Sequence, residues 1–144
     1  MKTVVAVFIA SSVAFGQLLG EDVVEPKSGK KETSVKTEQT TNVTPDEVEK
    51  LMKSEPKPLI IDVRTAEEFA NGHIAGAKNI DINDPAFAKK VAALDQKAPV
   101  IVHCAAGRRG AKALPTFSHE QFPAVYHMNG GLNAWKAAGK PIEK

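Results

Sequence analysis

The chain has 144 residues, 42% hydrophobic and 25% charged, with 10 Gly, 9 Pro and 6% aromatics, which fits one domain and excludes collagen-like or low-complexity polymers. Lys plus Arg number 19 against 17 Asp plus Glu, so the net charge of +2 supplies no field for nucleic acid, and no basic stripe appears. A single cysteine excludes an internal disulfide and any multi-cysteine metal site.

Met1 to Gly20 carry one charge, Lys2, followed by an apolar run from Thr3 to Ala10 and the small residues Ser11-Ser12-Val13-Ala14-Phe15-Gly16. This pattern reads as a secretory signal peptide over residues 1–16, cleaved after Ala14 or Gly16, with a periplasmic or secreted product. An uncleaved anchor or a buried helix are the alternatives. The stretch up to Glu21 is diluted by serines, Gln17 and glycines, which disfavours a span, and no stable membrane partner is expected. Residues 17–41 have few large apolar side chains and no period, so they read as a flexible linker or a clipped pro-segment. The folded domain is expected over residues 42–144. Asn42-Val43-Thr44 matches a glycosylation acceptor, although Thr44 is better used as a helix cap.

Thr44-Pro45-Asp46-Glu47 is a capping box with Pro at the first helical position, and Val48, Leu51 and Met52 follow at helical spacing. Leu59 to Val63 is a short β-branched apolar run, hence a buried strand. Thr65-Ala66-Glu67-Glu68 repeats the cap and opens a short helix that stops at Asn71-Gly72. Lys78 to Ile80 reads as a brief strand, and a helix from Asp84-Pro85 places Phe87, Val91 and Leu94 on one face. Pro99 to His103 and Ala124 to His127 are further strands, and Asn129-Gly130-Gly131 turns into a last helix with Leu132, Trp135 and Ala138, where Trp135 falls at core spacing. Strands alternating with helices predict an α/β fold: a mainly parallel central sheet with helices on both faces, its ligand site beyond the carboxyl ends of the strands.

Beyond the His103 strand lies Cys104-Ala105-Ala106-Gly107-Arg108-Arg109-Gly110. Small residues let the backbone curl so that successive N–H groups form an anion nest around the sulfur. The helix N-terminus and two arginines add positive charge, and all three effects favour thiolate over thiol. A buried structural cysteine is the bland alternative, disfavoured by the glycine and arginines that follow. His103 points to the opposite face from Cys104 and reads as structural. His73, His119 and His127 show no metal-ligand spacing, and neither metal nor cofactor is expected.

Four groups of residues now resemble the rhodanese family. They are Asp62-Val63-Arg64 with Glu67-Glu68-Phe69; Gly72-His73-Ile74-Ala75-Gly76-Ala77-Lys78-Asn79-Ile80; the Cys104 loop; and Gly130-Gly131-Leu132-Asn133-Ala134-Trp135 with Gly139-Lys140-Pro141. The resemblance covers Thr41 to Glu143 and is strongest to the small single-domain periplasmic rhodaneses of bacteria. It implies a rhodanese-like fold and thiosulfate sulfurtransferase chemistry. A sulfane sulfur passes from thiosulfate, or another small sulfur-containing anion, to the loop cysteine and then, from the persulfide, to cyanide or a thiol. By position Cys104 matches the nucleophile, and Ala105, Ala106, Gly107, Arg108 and Arg109 match the cradle, with both arginines able to hold the sulfonate. Asp62, Arg64 and Glu68 form a polar cluster beside the site, read as ion pairing that holds loops. A monomer is expected.

Cysteine phosphatases and arsenate reductases of the related fold are the rival. Their motif needs Arg six positions after the cysteine, where this chain has Gly110, and the loop here is one residue shorter, sized for one sulfur rather than a phosphoryl group. A sulfur carrier or binding module with little turnover is the third alternative. Pro115 is expected either to kink the helix after the loop or to make it restart there.

Overall fold

The computed structural model describes residues 40–144. The signal-peptide reading of 1–16, and nearly all of the linker reading of 17–41, lie outside the described residues.

Among the described residues, five strands form one all-parallel sheet: β1 (Thr40–Val43), β2 (Leu59–Asp62), β3 (Lys78–Asn79), β4 (Val100–His103) and β5 (Val125–Met128), in the order β1-β5-β4-β2-β3. The helices are α1 (Pro45–Leu51), α2 (Ala66–Ala70), α3 (Phe87–Ala92), α4 (Arg108–His119) and α5 (Gly131–Ala137). The expected α/β architecture is therefore present, with parallel strands joined through helices.

Two-residue alternation along the strands divides the core into two layers. Ile61, Val63, Val100, Val102 and Val125 face Phe87 and Val91 of α3 and Ala113 and Phe117 of α4. Val43, Ile60, Ile101 and Met128 face Val48 of α1 and Leu132 and Trp135 of α5. Both faces are thus covered, and Trp135 packs in the second layer as its spacing suggests. Phe117 is fully buried, with Phe87 edge-on to it at 6.1 Å, so truncating it to Ala costs about 3–5 kcal/mol.

Both capping boxes form. Thr44 Oγ1 accepts the Glu47 N–H while the Glu47 carboxylate accepts the Thr44 N–H, and Thr65 and Glu68 repeat the exchange. Each box satisfies donors that the helix start otherwise leaves unpaired.

The expected start of the domain changes. β1 begins at Thr40, two residues inside the stretch read as linker; Thr40 and Thr41 pair with Val125 and Tyr126, and this edge strand is too polar to show a period. Asn42 lies in that strand, where its Oδ1 accepts from His127 Nδ1 at 3.1 Å. Of the two alternatives for Pro115, the restart does not occur: α4 runs unbroken from Arg108 to His119 with Pro115 inside it. Pro115 leaves the Ala111 carbonyl without its helical donor, a local loss that the packing of Ala113 and Phe117 outweighs.

Candidate functional site

β4 ends at His103 and α4 starts at Arg108, so Cys104 to Gly107 form the turn at the carboxyl edge of the sheet. Gly107 makes this turn possible. Its φ is +107°, and a Cβ there would lie 1.9 Å from the Asn129 carbonyl oxygen. A side chain is excluded both by the backbone conformation and by the close approach of the β5–α5 turn.

The Gly107 N–H donates to Cys104 Sγ at 3.0 Å, the one amide among the described residues that reaches the sulfur. The anion nest expected from the sequence is therefore a single direct bond at the bare thiol, not a closed ring. The remaining amides are aimed by other contacts. The Leu132 N–H donates to the Cys104 carbonyl at 2.8 Å, and the Asn133 N–H to the Ala105 carbonyl at 2.9 Å. These are the first turn of α5 stitched to the loop. Gly131 permits it: its φ is +60°, and a Cβ would lie 2.4 Å from the Cys104 oxygen. The Gly130-Gly131 pair, prominent in the sequence, thus braces the cysteine loop, a role its position far along the chain did not reveal.

Cys104 is 1% exposed and forms part of the wall of an open cleft lined also by Ala105, Ala106, Arg108, Arg109, Ala111 and Lys112. The cleft volume of about 710 Å³ lies in the range of small-molecule sites. Its walls are small and its charges are all positive. Arg108 and Lys112 are exposed and one helical turn apart, so both face the cleft. Lys112 was missed from sequence, although its spacing of four from Arg108 was visible.

Arg109 is not free to grip a ligand. Its Nη1 and Nη2 donate to Glu68 Oε2 and Oε1 at 2.7 and 2.8 Å, a bidentate pair. The Arg109 guanidinium, aided by the Thr65 bonds, pulls the Glu68 carboxyl down to about 2, while Glu68 raises Arg109. The two arginines of the loop, equivalent in sequence, have therefore separated into one tether and one open cation.

The rest of the polar cluster lies behind the loop. Arg64 donates to both Asp62 carboxylate oxygens and, through Nη2, to the Gly72 carbonyl at 2.7 Å, all of it buried. This fixes the β2–α2 corner from which Glu68 projects. His103 is fully buried; its Nδ1 contacts the Cys104 carbonyl at 3.1 Å rather than the sulfur, as the alternation of strand side chains requires. Burial lowers the basicity of His103 and His127. Among the described residues no group of His, Cys, Asp and Glu is placed to hold a metal ion.

The family profile of the rhodanese-like domain matches residues 44–138. Thiosulfate sulfurtransferase GlpE of Pseudomonas aeruginosa is 32% identical over 95 residues, covering 66% of this chain and 83% of that protein. Protein HIGH ARSENIC CONTENT 1, mitochondrial, of Arabidopsis thaliana is 38% identical over 89 residues, 55% of this chain and 53% of its own length. The crystal structure of a rhodanese-related protein from Thermoplasma volcanium superposes with a TM-score of 0.63 at 26% identity, covering 72% of this chain and 97% of that one.

Proposed function

Because the chain belongs to the rhodanese-like domain family, we propose that it is a sulfurtransferase that carries sulfur as a persulfide on Cys104. The observation that carries this reading is the 3.0 Å bond from the Gly107 amide to Cys104 Sγ at the wall of a cationic cleft. The amide donates toward the sulfur, and Arg108 and Lys112 bring positive charge to the same cleft.

The first step is a displacement. The Cys104 thiolate attacks the outer sulfur of thiosulfate; a Cys104 S–S bond forms, the S–S bond of thiosulfate breaks, and sulfite leaves with the electron pair. Cyanide or a thiolate then attacks the terminal sulfur, forming thiocyanate or a new persulfide and returning Cys104 as thiolate. Charge balances in both steps, and ping-pong kinetics follow from the covalent intermediate. Arg108, with Lys112 beside it, attracts the sulfonate, while Arg109 holds the loop through Glu68. A cleft of about 710 Å³ leaves room for an acceptor larger than cyanide.

Phosphoryl or arsenate chemistry fits less well. Position 110 is Gly, and a Cβ built there would lie 2.8 Å from His127 Nε2, so the clamp arginine of those enzymes has no space. The test is intact mass after incubation with thiosulfate. Wild type gains one sulfur atom and Cys104→Ser gains none; turnover of an aryl phosphate or arsenate without sulfur gain overturns the reading.

We also propose that residues 1–16 direct export and that the active domain works in the periplasm or outside the cell, in keeping with the charge and apolar pattern of the sequence. N-terminal sequencing of protein recovered from cells tests this, with a start after Ala14 or Gly16 expected and an intact Met1 overturning it.

A further inference from the structure

The position of His103 carries a role that its burial alone would conceal. A carbonyl oxygen only accepts, so the 3.1 Å contact between His103 Nδ1 and the Cys104 oxygen places the proton on Nδ1. Nε2 is buried with no hydrogen-bond partner among the described residues and stands 3.9 Å from Asp62 Oδ2. Asp62 is already engaged by Arg64. The ring is thus held in one tautomer, with its Nδ1–H spent on the backbone of the cysteine.

The Cys104 oxygen receives two donors, His103 Nδ1–H and the Leu132 N–H at 2.8 Å, which occupy both of its lone pairs. A trans peptide is planar, with C=O and N–H on opposite edges. Pinning the Cys104 carbonyl therefore fixes the direction of the Ala105 N–H on the far side, away from α5, where Ala105 lines the cleft. The Asn133 bond to the Ala105 carbonyl does the same for the Ala106 N–H. Gly107 donates to the sulfur itself. Three consecutive amides are thereby given fixed directions, and the first depends on His103.

The geometry points to His103 as a positioning residue for sulfur transfer: through Nδ1–H it locks the Cys104–Ala105 peptide so that the Ala105 amide is preset for the terminal sulfur of the Cys104 persulfide. This rests on the sulfurtransferase reading above. In a persulfide the negative charge sits on the terminal sulfur, one bond beyond the Sγ that the Gly107 amide contacts, so the preset amides matter in the loaded enzyme more than in the free thiol.

The test compares two near-isosteric replacements. His103→Asn keeps a donor near the Nδ1 position, and His103→Leu removes it without enlarging the cavity. The full chain is loaded with thiosulfate in single-turnover experiments, with thermal midpoints measured alongside. His103→Leu is expected to slow persulfide formation about tenfold, with the KM for thiosulfate and the midpoint little changed, and His103→Asn to recover most of the rate. Equal rates for Leu and wild type, or Asn as slow as Leu, overturn the proposal. Ring ¹⁵N spectra of wild type decide the matter even if the Leu variant does not fold: an Nδ1-protonated ring supports the role, and an Nε2-protonated ring ends it. Wild type that takes up no sulfur overturns the sulfurtransferase reading itself, a result distinct from either of these.

Discussion

Gly110 packs against the ring of His127 so closely that a Cβ built on it would lie 2.8 Å from Nε2 and 3.6 Å from the Cys104 amide nitrogen. The first turn of α4 rests directly on β5 at this point. A residue that in sequence marks the absence of a phosphate clamp is, in the fold, a contact that keeps the cysteine loop against the sheet.

Gly110→Ala is accordingly expected to destabilise the domain by about 1–3 kcal/mol, the cost of overpacking a tight interior contact. His127→Ala should relieve part of it, giving a favourable coupling in a double-mutant cycle read by urea denaturation. Simple additivity of the two changes would show that the contact is not what constrains position 110.

Gly107→Ala meets two obstacles together, a φ of +107° and a Cβ position 1.9 Å from the Asn129 oxygen. A loss of roughly 3 kcal/mol or more is expected. Sulfur loading of Cys104 should fall with it even at temperatures where the variant remains folded by circular dichroism.

The Glu68–Arg109 pair has a definite pH window. The folded-state carboxyl sits at about 2 against an ordinary value of 4.5, so its contribution is fully present above pH 4.5 and is lost as pH falls toward 2. About a third of each side chain is exposed, so screening limits the pair to about 1 kcal/mol. The urea midpoint of Glu68→Gln should lie below wild type at pH 7 and converge with it near pH 2; a gap that does not narrow would place the effect elsewhere.

Arg108 and Arg109 should separate in kinetics. Arg108→Ala removes an exposed cation at the cleft and is expected to raise the KM for thiosulfate severalfold with little change in stability. Arg109→Ala releases the loop from Glu68 and is expected to lower kcat and the thermal midpoint together. High salt should erode the Arg108 effect more than the Arg109 effect. Identical kinetic signatures for the two variants would contradict the division of roles.

Much of the architecture was legible in the chain. The runs at Leu59 and Val100 announce strands because a sheet covered on both faces needs apolar residues at every position. Thr44 and Thr65 announce helix starts because capping is a matter of residues three apart. The cysteine loop followed from the same local logic: a thiol at a strand end, three small residues and a helix start. β1 escaped because an edge strand needs no apolar period, and α4 survives Pro115 because packing against the sheet exceeds the loss of one hydrogen bond.

From Thr44 onward the sequence by itself determined the succession of strands and helices, the single thiol and the turn that holds it, since each depends on neighbours a few residues apart. Tertiary structure alone decided which of the two adjacent arginines is tied and which is open, because Glu68 lies 41 residues from Arg109 along the chain. It alone brought the α5 amides onto the Cys104 and Ala105 carbonyls. Those contacts join segments distant in sequence, and a hydrogen bond is fixed by where atoms meet in space, which no local pattern records.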